Sequence, residues 1–110
     1  MMIALRQKQD LEQLLQTSQT DPVLVFKHST QCSISTEVYE EFQRFAQMAG
    51  DVTCGIVLVI EDRAISSEIA SRLGVRHESP QAILVEHGRP VWSASHWSIT
   101  VDALREALRK

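Results

Sequence analysis

Residues 23–35 read VLVFKHSTQCSIS and contain the features on which the fold prediction depends. The apolar run at residues 23–26 is typical of a central strand that is buried on both faces. The polar segment at residues 27–33 predicts a loop, and a helix is predicted to begin near Ile34. Cys32 is therefore expected between the end of a buried strand and the first turn of a helix.

The chain after this stretch continues the alternation of helix and strand. Apolar residues recur at spacings of three and four, which predicts one face of a long helix that ends at Gly50. These residues are Val38, Phe42, Phe45 and Ala49. The Val- and Ile-rich residues 52–60 predict a second buried strand, and Ile65, Ile69 and Leu73 predict a shorter helix closed by Gly74.

Elements are also predicted at both ends of the chain. Residues 3–6 predict a short strand, and an amphipathic helix capped by Asp10 is expected to end near Ser18. A β-hairpin is expected at residues 82–85 and 91–93, with a polar tip at residues 86–89. Thr100 is a good N-cap for a last helix that carries Val101, Leu104 and Leu108 on one side.

The order of these elements predicts the fold class. Alternating strands and helices imply parallel strands with helical crossovers, and the late hairpin adds antiparallel strands. The periodicity alone supports an α/β protein with a mixed sheet and helices on both faces. The placement of Cys32 and Pro80 narrows this to a thioredoxin-like three-layer α/β/α sandwich, formed by residues 1–110 as a single domain.

Composition excludes several classes of function. A chain of 110 residues with 44% hydrophobic residues fits one core of its own. A net charge of −3, from 11 Lys and Arg against 14 Asp and Glu, argues against a nucleic-acid partner. No run approaches the roughly 18 apolar residues of a membrane span, and the N-terminal segment lacks the pattern of a signal peptide. A cytoplasmic location is expected.

Cys32 is the candidate nucleophile. The unpaired N–H groups and dipole of a helix start favour a thiolate, and Thr30 and Ser33 leave the thiol accessible. The alternative is a cysteine packed under the helix. Ser35 stands three residues later, so there is no second cysteine nearby and monothiol chemistry is predicted. Ser35 either hydrogen-bonds the Cys32 sulfur or serves only as a residue of the first helical turn.

Other candidate residues lie outside this loop. Pro80 is either a plain turn residue or, in a thioredoxin-like layout, a cis proline that offers the backbone of Ser79 to a bound thiol or peptide. His28 and His77 bracket the expected site and, if protonated, would stabilise a thiolate. Cys54 is expected to be buried and inert. No set of Cys and His residues completes a zinc site, so no metal is assigned.

Three separated blocks of the sequence resemble a known family. They are residues 26–35 (FKHSTQCSIS), 63–66 (RAIS) and 75–81 (VRHESPQ). They resemble the YtxJ family, the monothiol bacilliredoxins, and the similarity extends over nearly the whole chain. The family's usual Thr-Cys-Pro-Ile-Ser differs here, because Ser33 replaces proline and Thr30 is displaced by one position. Ser33 retains an N–H that proline lacks and adds a hydroxyl group.

The resemblance implies a thioredoxin-like fold and a role in the bacillithiol system of bacteria. Cys32 would take bacillithiol from mixed disulfides on client proteins, free bacillithiol would regenerate Cys32, and a flavin-dependent reductase would recycle the bacillithiol disulfide. Bacillithiol would thus be a co-substrate, with no bound cofactor. The residues expected to bind substrate around Cys32 are Thr30, Gln31, Ser33, Ser35, Ser79 and Pro80.

Two other functions are compatible with the sequence. One is a general thiol-disulfide reductase in which Cys54 resolves disulfides on Cys32. The other is a non-catalytic domain that docks a partner or carries an iron–sulfur cluster on Cys32 and an external thiol. Lys27, Arg63 and Arg76 are either solvated surface charges or groups that attract the carboxylates of the malate in bacillithiol.

Overall fold

The structure is a computed structural model that describes residues 1–109. It consists of five strands, four helices and one 3₁₀ turn in the order βαβαβαββα. The strands are β1 (Met2–Ala4), β2 (Val23–His28), β3 (Thr53–Leu58), β4 (Gln81–Glu86) and β5 (Arg89–Ser95). The helices are α1 (Lys8–Thr17), α2 (Ser33–Met48), α3 (Arg63–Leu73) and α4 (Val101–Arg109), with the 3₁₀ turn at His96–Ser98.

The strands form one mixed sheet in the order β1-β3-β2-β4-β5. Strand β3 runs parallel to both β1 and β2, whereas β4 runs antiparallel to β2 and β5 antiparallel to β4. Strand β2 lies at the centre and all six of its residues are buried. The α/β class and the mixed sheet predicted from the alternation of elements are therefore confirmed.

Helices cover both faces of the sheet. Alternate residues of β2 point to opposite faces, so Val25 packs with α1 and α3 while Phe26 packs with α2 and α4. On the second face the Phe26 ring stacks on Phe42 of α2, with ring centroids 4.6 Å apart. The apolar stripe predicted for α2 is thus the face that anchors this helix, and with it the position of its first turn.

Helix ends follow the predicted chemistry with two corrections. Helix α2 ends at Met48 with Ala49 as its C-cap, just before the predicted Gly50, and Gly50 does not adopt the left-handed conformation of a glycine cap. Gly74 ends α3 in the left-handed region at φ 66°, and Thr100 Oγ1 accepts a hydrogen bond of 3.0 Å from the Ala103 N–H at the start of α4. Asp10 does not occupy the N-cap, because α1 already begins at Lys8. Its carboxylate instead reaches back to the Gln7 N–H at 3.0 Å, as an acidic residue in the first turn can.

Strand β2 is longer than the apolar run predicts. Lys27 and His28 were expected in the loop but belong to the strand, where Lys27 pairs with Val57 on one side and Gln81 on the other. Pairing on both sides satisfies the backbone, and each of the two polar side chains has a hydrogen-bonding partner inside the protein. Strand β1 is also shifted, to Met2–Ala4 from the expected residues 3–6.

Candidate functional site

Cys32 is the N-cap residue of α2 and is partly exposed. Its backbone is extended, with φ −121° and ψ 122°, and its carbonyl accepts a hydrogen bond of 3.2 Å from the Thr36 N–H. The thiol therefore stands where the unpaired N–H groups of a 16-residue helix concentrate positive potential. This is the position predicted for Cys32 from the sequence.

Ser35 links the end of β2 to the first turn of α2 through hydrogen bonds. Its side chain is fully buried, and its Oγ accepts a hydrogen bond of 3.0 Å from the Ser29 N–H. The same oxygen lies 2.7 Å from Nδ1 of His28. Of the two roles considered for Ser35, the structure favours the structural one, since these contacts hold the loop that carries Cys32.

His28 is a neutral member of this cluster. Its ring stacks on Tyr39 with centroids 4.5 Å apart and is buried. Burial lowers the pKa of His28, and the opposing effect of the Glu61 carboxylate is smaller. A protonated His28 that would stabilise a thiolate, as the sequence suggested, is therefore disfavoured near pH 7.

The remaining side chains of the Cys32 loop face solvent. Thr30, Gln31 and Ser33 are all exposed. Thr30 Oγ1 donates a hydrogen bond of 3.2 Å to the Glu61 carboxylate, which connects this loop to the segment between β3 and α3. Three of the residues predicted to bind substrate are thus accessible around the thiol.

The Ser79-Pro80 peptide bond is cis, and it lies at the same edge of the sheet as Cys32. Gln81 pairs with Lys27, so the preceding Pro80 lies beside the end of β2. The Ser79 Oγ is buried and, within residues 1–109, has no hydrogen-bond partner. The two loops that the sequence predicted to face each other are therefore brought together.

His77 lies across the sheet from His28, in a second polar cluster. Its Nδ1 lies 3.0 Å from Lys27 Nζ and 3.5 Å from Ser66 Oγ. Burial lowers the pKa of His77, the positive charges of Lys27 and Arg63 lower it further, and the opposing effect of the Glu78 carboxylate is smaller. Like His28, it is disfavoured as a cation that would stabilise the thiolate of Cys32.

Lys27 is a residue whose importance sequence reasoning missed. Its side chain is fully buried, and burial lowers the pKa of its ammonium to about 8. The sequence suggests only two roles for it, a solvated surface charge or a group that attracts anions. The available signal was its position directly after an apolar run, where a central strand continues with alternate residues on each face.

Cys54 is fully buried in β3, where its register partner on β2 is Leu24. Burial raises the pKa of the Cys54 thiol to about 11. The register places Cys54 four residues before the end of the strand, which corresponds to roughly 13 Å along the sheet. A disulfide requires Cα atoms about 4.4–6.8 Å apart, so this geometry disfavours Cys54 as a resolving thiol for Cys32.

Two further features of the described chain concern metal binding and membrane-spanning helices. Among residues 1–109 there is no group of three or more His, Cys, Asp or Glu side chains that could hold a metal ion. In the same part of the chain, no helix combines the length and the apolar character needed to cross a membrane.

Comparison with known proteins gives a family and a fold. Residues 3–104 match the family model described as monothiol bacilliredoxin BrxC. A solved structure described as having a thioredoxin fold is 34% identical, with a TM-score of 0.87 over 96% of this chain and 92% of that one. Fasciola hepatica thioredoxin is 17% identical, with a TM-score of 0.78 over 96% of this chain and 95% of its own. The predicted thioredoxin-like fold is confirmed.

Proposed function

Because this chain belongs to the monothiol bacilliredoxin family, we propose that it removes bacillithiol from mixed disulfides on client proteins through Cys32. Membership of this family and the thioredoxin fold support thiol-disulfide oxidoreductase chemistry in general. The observation that carries the proposal is the partly exposed Cys32 at the N-cap of α2, beside the cis Pro80 loop.

The first step is a transfer of bacillithiol to Cys32. The Cys32 thiolate attacks the bacillithiol sulfur of the mixed disulfide and forms a new S–S bond with it. The bond between bacillithiol and the client breaks, and its electron pair leaves with the client sulfur as a thiolate. The client cysteine is thereby reduced, and Cys32 is oxidised to the mixed disulfide.

The second step regenerates the enzyme with an external thiol. The thiolate of a free bacillithiol attacks the bacillithiol sulfur on Cys32, and the electron pair of the broken bond leaves with Cys32. The product is bacillithiol disulfide, which a separate flavin-dependent reductase would reduce. This sequence requires no cofactor on the protein and fits the reducing conditions of the cytoplasm.

The local structure supports monothiol rather than dithiol chemistry. The position at which a C-x-x-C motif would carry its second cysteine is Ser35, whose hydroxyl is engaged with Ser29 and His28. Cys54, the other cysteine, is fully buried. A mixed disulfide on Cys32 therefore has no resolving thiol within reach and would persist until a second bacillithiol arrives.

Intact mass spectrometry of both partners tests the proposal. The full-length protein and its Cys32→Ser and Cys54→Ala variants would each be mixed with a bacillithiol-modified client protein. We expect the client to lose the mass of bacillithiol, and the wild-type and Cys54→Ala proteins to gain it. Cys32→Ser should leave the client unchanged. A client that retains its adduct with the wild-type protein, or loses it with Cys32→Ser, would refute the proposal.

A further inference from the structure

A cavity of about 390 Å³ opens beside the start of α3, at the same edge of the sheet as Cys32. The segment that forms one side of it is tied to the Cys32 loop, because the Val59 N–H donates a hydrogen bond of 3.0 Å to the His28 carbonyl. Thr30 makes a second connection through Glu61. The residues that line the cavity are Val59, Ile60, Arg63, Ser66, Ser67 and His77.

The hydrogen-bonding state of His77 follows from its contact with Lys27. An ammonium group has three N–H donors and no acceptor, so the Lys27 Nζ, 3.0 Å away, must donate to Nδ1 of His77. A neutral imidazole that accepts at Nδ1 carries its proton at Nε2. His77 therefore presents an N–H donor through the ring nitrogen that faces away from Lys27.

The cavity offers donors and positive charge. Arg63 contributes a guanidinium group, and Ser66 and Ser67 contribute hydroxyls, while the first turn of α3 adds the positive end of its dipole. Within residues 1–109, Arg63 forms no salt bridge. No carboxylate is among the lining residues.

The acidic residues nearby are directed to other partners. Glu61 accepts a hydrogen bond from Thr30, and Glu78 accepts one of 3.3 Å from Ser95. Asp62, which precedes α3, lines a different cavity together with Tyr39. None of these three carboxylates forms a salt bridge with Arg63 or Lys27, and the Glu78 charge has a smaller effect on His77 than burial and the two cations have.

Lys27 supplies an independent indication of a ligand. It is fully buried, yet within the described chain its ammonium has a neutral ring and no carboxylate as partner. A buried charge without a counter-ion is costly, and proteins ordinarily pair it. An anion held by Arg63 and His77 would lie on the far side of the imidazole from Lys27 and would offset this cost.

We propose that this cavity binds a carboxylate of the small thiol whose sulfur is transferred to Cys32. The inference rests on the proposed function, under which that thiol is bacillithiol, whose malate group carries two carboxylates. Arg63, Ser66 and His77 would donate to the carboxylate directly. Lys27 acts as a positioning residue, because its hydrogen bond to Nδ1 fixes the tautomer of His77 from the side opposite the bound carboxylate.

Binding of malate tests the cavity without any redox step. Backbone amide NMR shifts would be recorded during titration with malate and, at equal ionic strength, with its uncharged dimethyl ester. We expect malate, but not its dimethyl ester, to change the backbone amide shifts of four cavity residues, Arg63, Ser66, Ser67 and His77. In Arg63→Gln the affinity should fall roughly tenfold, as expected for loss of a charge-assisted hydrogen bond.

Two further variants distinguish specific binding in the cavity from a general electrostatic attraction of malate to the protein. Arg76→Gln removes the same charge from an exposed residue that does not line the cavity, and it should leave the affinity unchanged. Lys27→Met should weaken malate binding and also change the ring ¹⁵N shifts of His77, because Nδ1 loses its donor. Equal shifts with the dimethyl ester, or equal losses in Arg63→Gln and Arg76→Gln, would overturn the inference.

Transfer measurements distinguish the failure of this inference from failure of the proposed function. Rates would be compared for a client carrying bacillithiol and for the same client carrying uncharged 2-mercaptoethanol. We expect Arg63→Gln to slow only the first reaction. Malate binding without any transfer of bacillithiol would refute the proposed function and keep the carboxylate site. Transfer that Arg63→Gln leaves unchanged would refute the role of the cavity alone.

Discussion

The Ser35 hydroxyl lies 2.7 Å from Nδ1 of His28, and this contact connects the first turn of α2 to the last residue of β2. The same oxygen accepts the Ser29 N–H at 3.0 Å. One buried side chain thus fixes both ends of the short loop that presents Cys32. The residue that stands where a resolving cysteine would stand in a C-x-x-C motif is here a structural link.

Replacement of Ser35 by alanine should therefore affect both stability and exchange. The variant leaves the Ser29 N–H without its acceptor, and we expect the free energy of unfolding to fall by about 1–3 kcal/mol. The rate of transfer to Cys32 should fall as well, because the loop loses its support. Urea denaturation and the mass-spectrometric transfer assay measure the two effects.

Ser33→Ala is the matched control for this change. Ser33 is exposed in the same helical turn, so its replacement should alter the free energy of unfolding by less than about 0.5 kcal/mol. Equal losses of stability in the two variants would show that the buried contacts of Ser35 do not carry the effect.

A second prediction about stability concerns Gly55. A Cβ added at this position in β3 would lie 2.7 Å from Leu14 Cδ2 and 2.8 Å from Leu5 Cδ1, and both leucines are fully buried. We expect Gly55→Ala to cost about 1–3 kcal/mol through overpacking. Gly50→Ala, where a Cβ meets nothing within 4 Å, should not destabilise the protein. Comparable thermal unfolding of the two variants would contradict this account.

The elements that were predicted correctly depend on local patterns. The apolar run that starts at Val23 predicts β2, and the apolar stripe through Phe42 predicts α2. Gly74 predicts the end of α3. Each of these signals lies within a few residues of the feature it predicts. The fold follows from such signals because each buries a face or ends a helix in the way its residues favour. The position of Cys32 between β2 and α2 could be predicted for the same reason.

The parts of the site that were missed depend on contacts between distant residues. Lys27 remains in the strand because His77, 50 positions away, accepts its hydrogen bond. His28 remains there because Ser35 and Tyr39 cover it from α2. A polar residue after an apolar run is usually exposed, and only tertiary partners can reverse that expectation. No local sequence pattern identifies those partners.

The two cysteines should differ sharply in reactivity. Cys32 is partly exposed, whereas Cys54 is fully buried and burial raises the pKa of its thiol to about 11. At pH 8 only about one Cys54 thiol in a thousand would be ionised, and the thiolate is the reactive form. We expect iodoacetamide to label Cys32 in the folded protein and both cysteines in urea. Labelling of Cys54 in the folded protein at the rate of Cys32 would contradict this.

Lys27 makes a prediction about the pH dependence of stability. Burial lowers the pKa of its ammonium from the ordinary 10.5 to about 8, so the unfolded chain binds this proton more tightly than the folded one does. Between pH 8 and 10.5 the unfolded state retains a proton that the folded state has lost, and stability from this group rises with pH. Over that interval the gain corresponds to roughly 3 kcal/mol.

Comparison with Lys27→Met isolates this contribution, since methionine fills a similar volume without the charge. At pH 7 the variant should match or exceed the wild-type free energy of unfolding, because it removes a buried ammonium that has no carboxylate partner in the described chain. As the pH rises to 10.5, the difference should shift toward the wild type by roughly 3 kcal/mol, because Lys27 has then lost its proton in the folded state and half of it in the unfolded state. Urea denaturation of the two proteins at pH 7, 9 and 10.5 measures the shift.

Titration of Cys54 affects both proteins equally and cancels in the comparison. A difference that stays constant from pH 7 to 10.5 would mean that Lys27 titrates in the folded protein as it does in the unfolded chain.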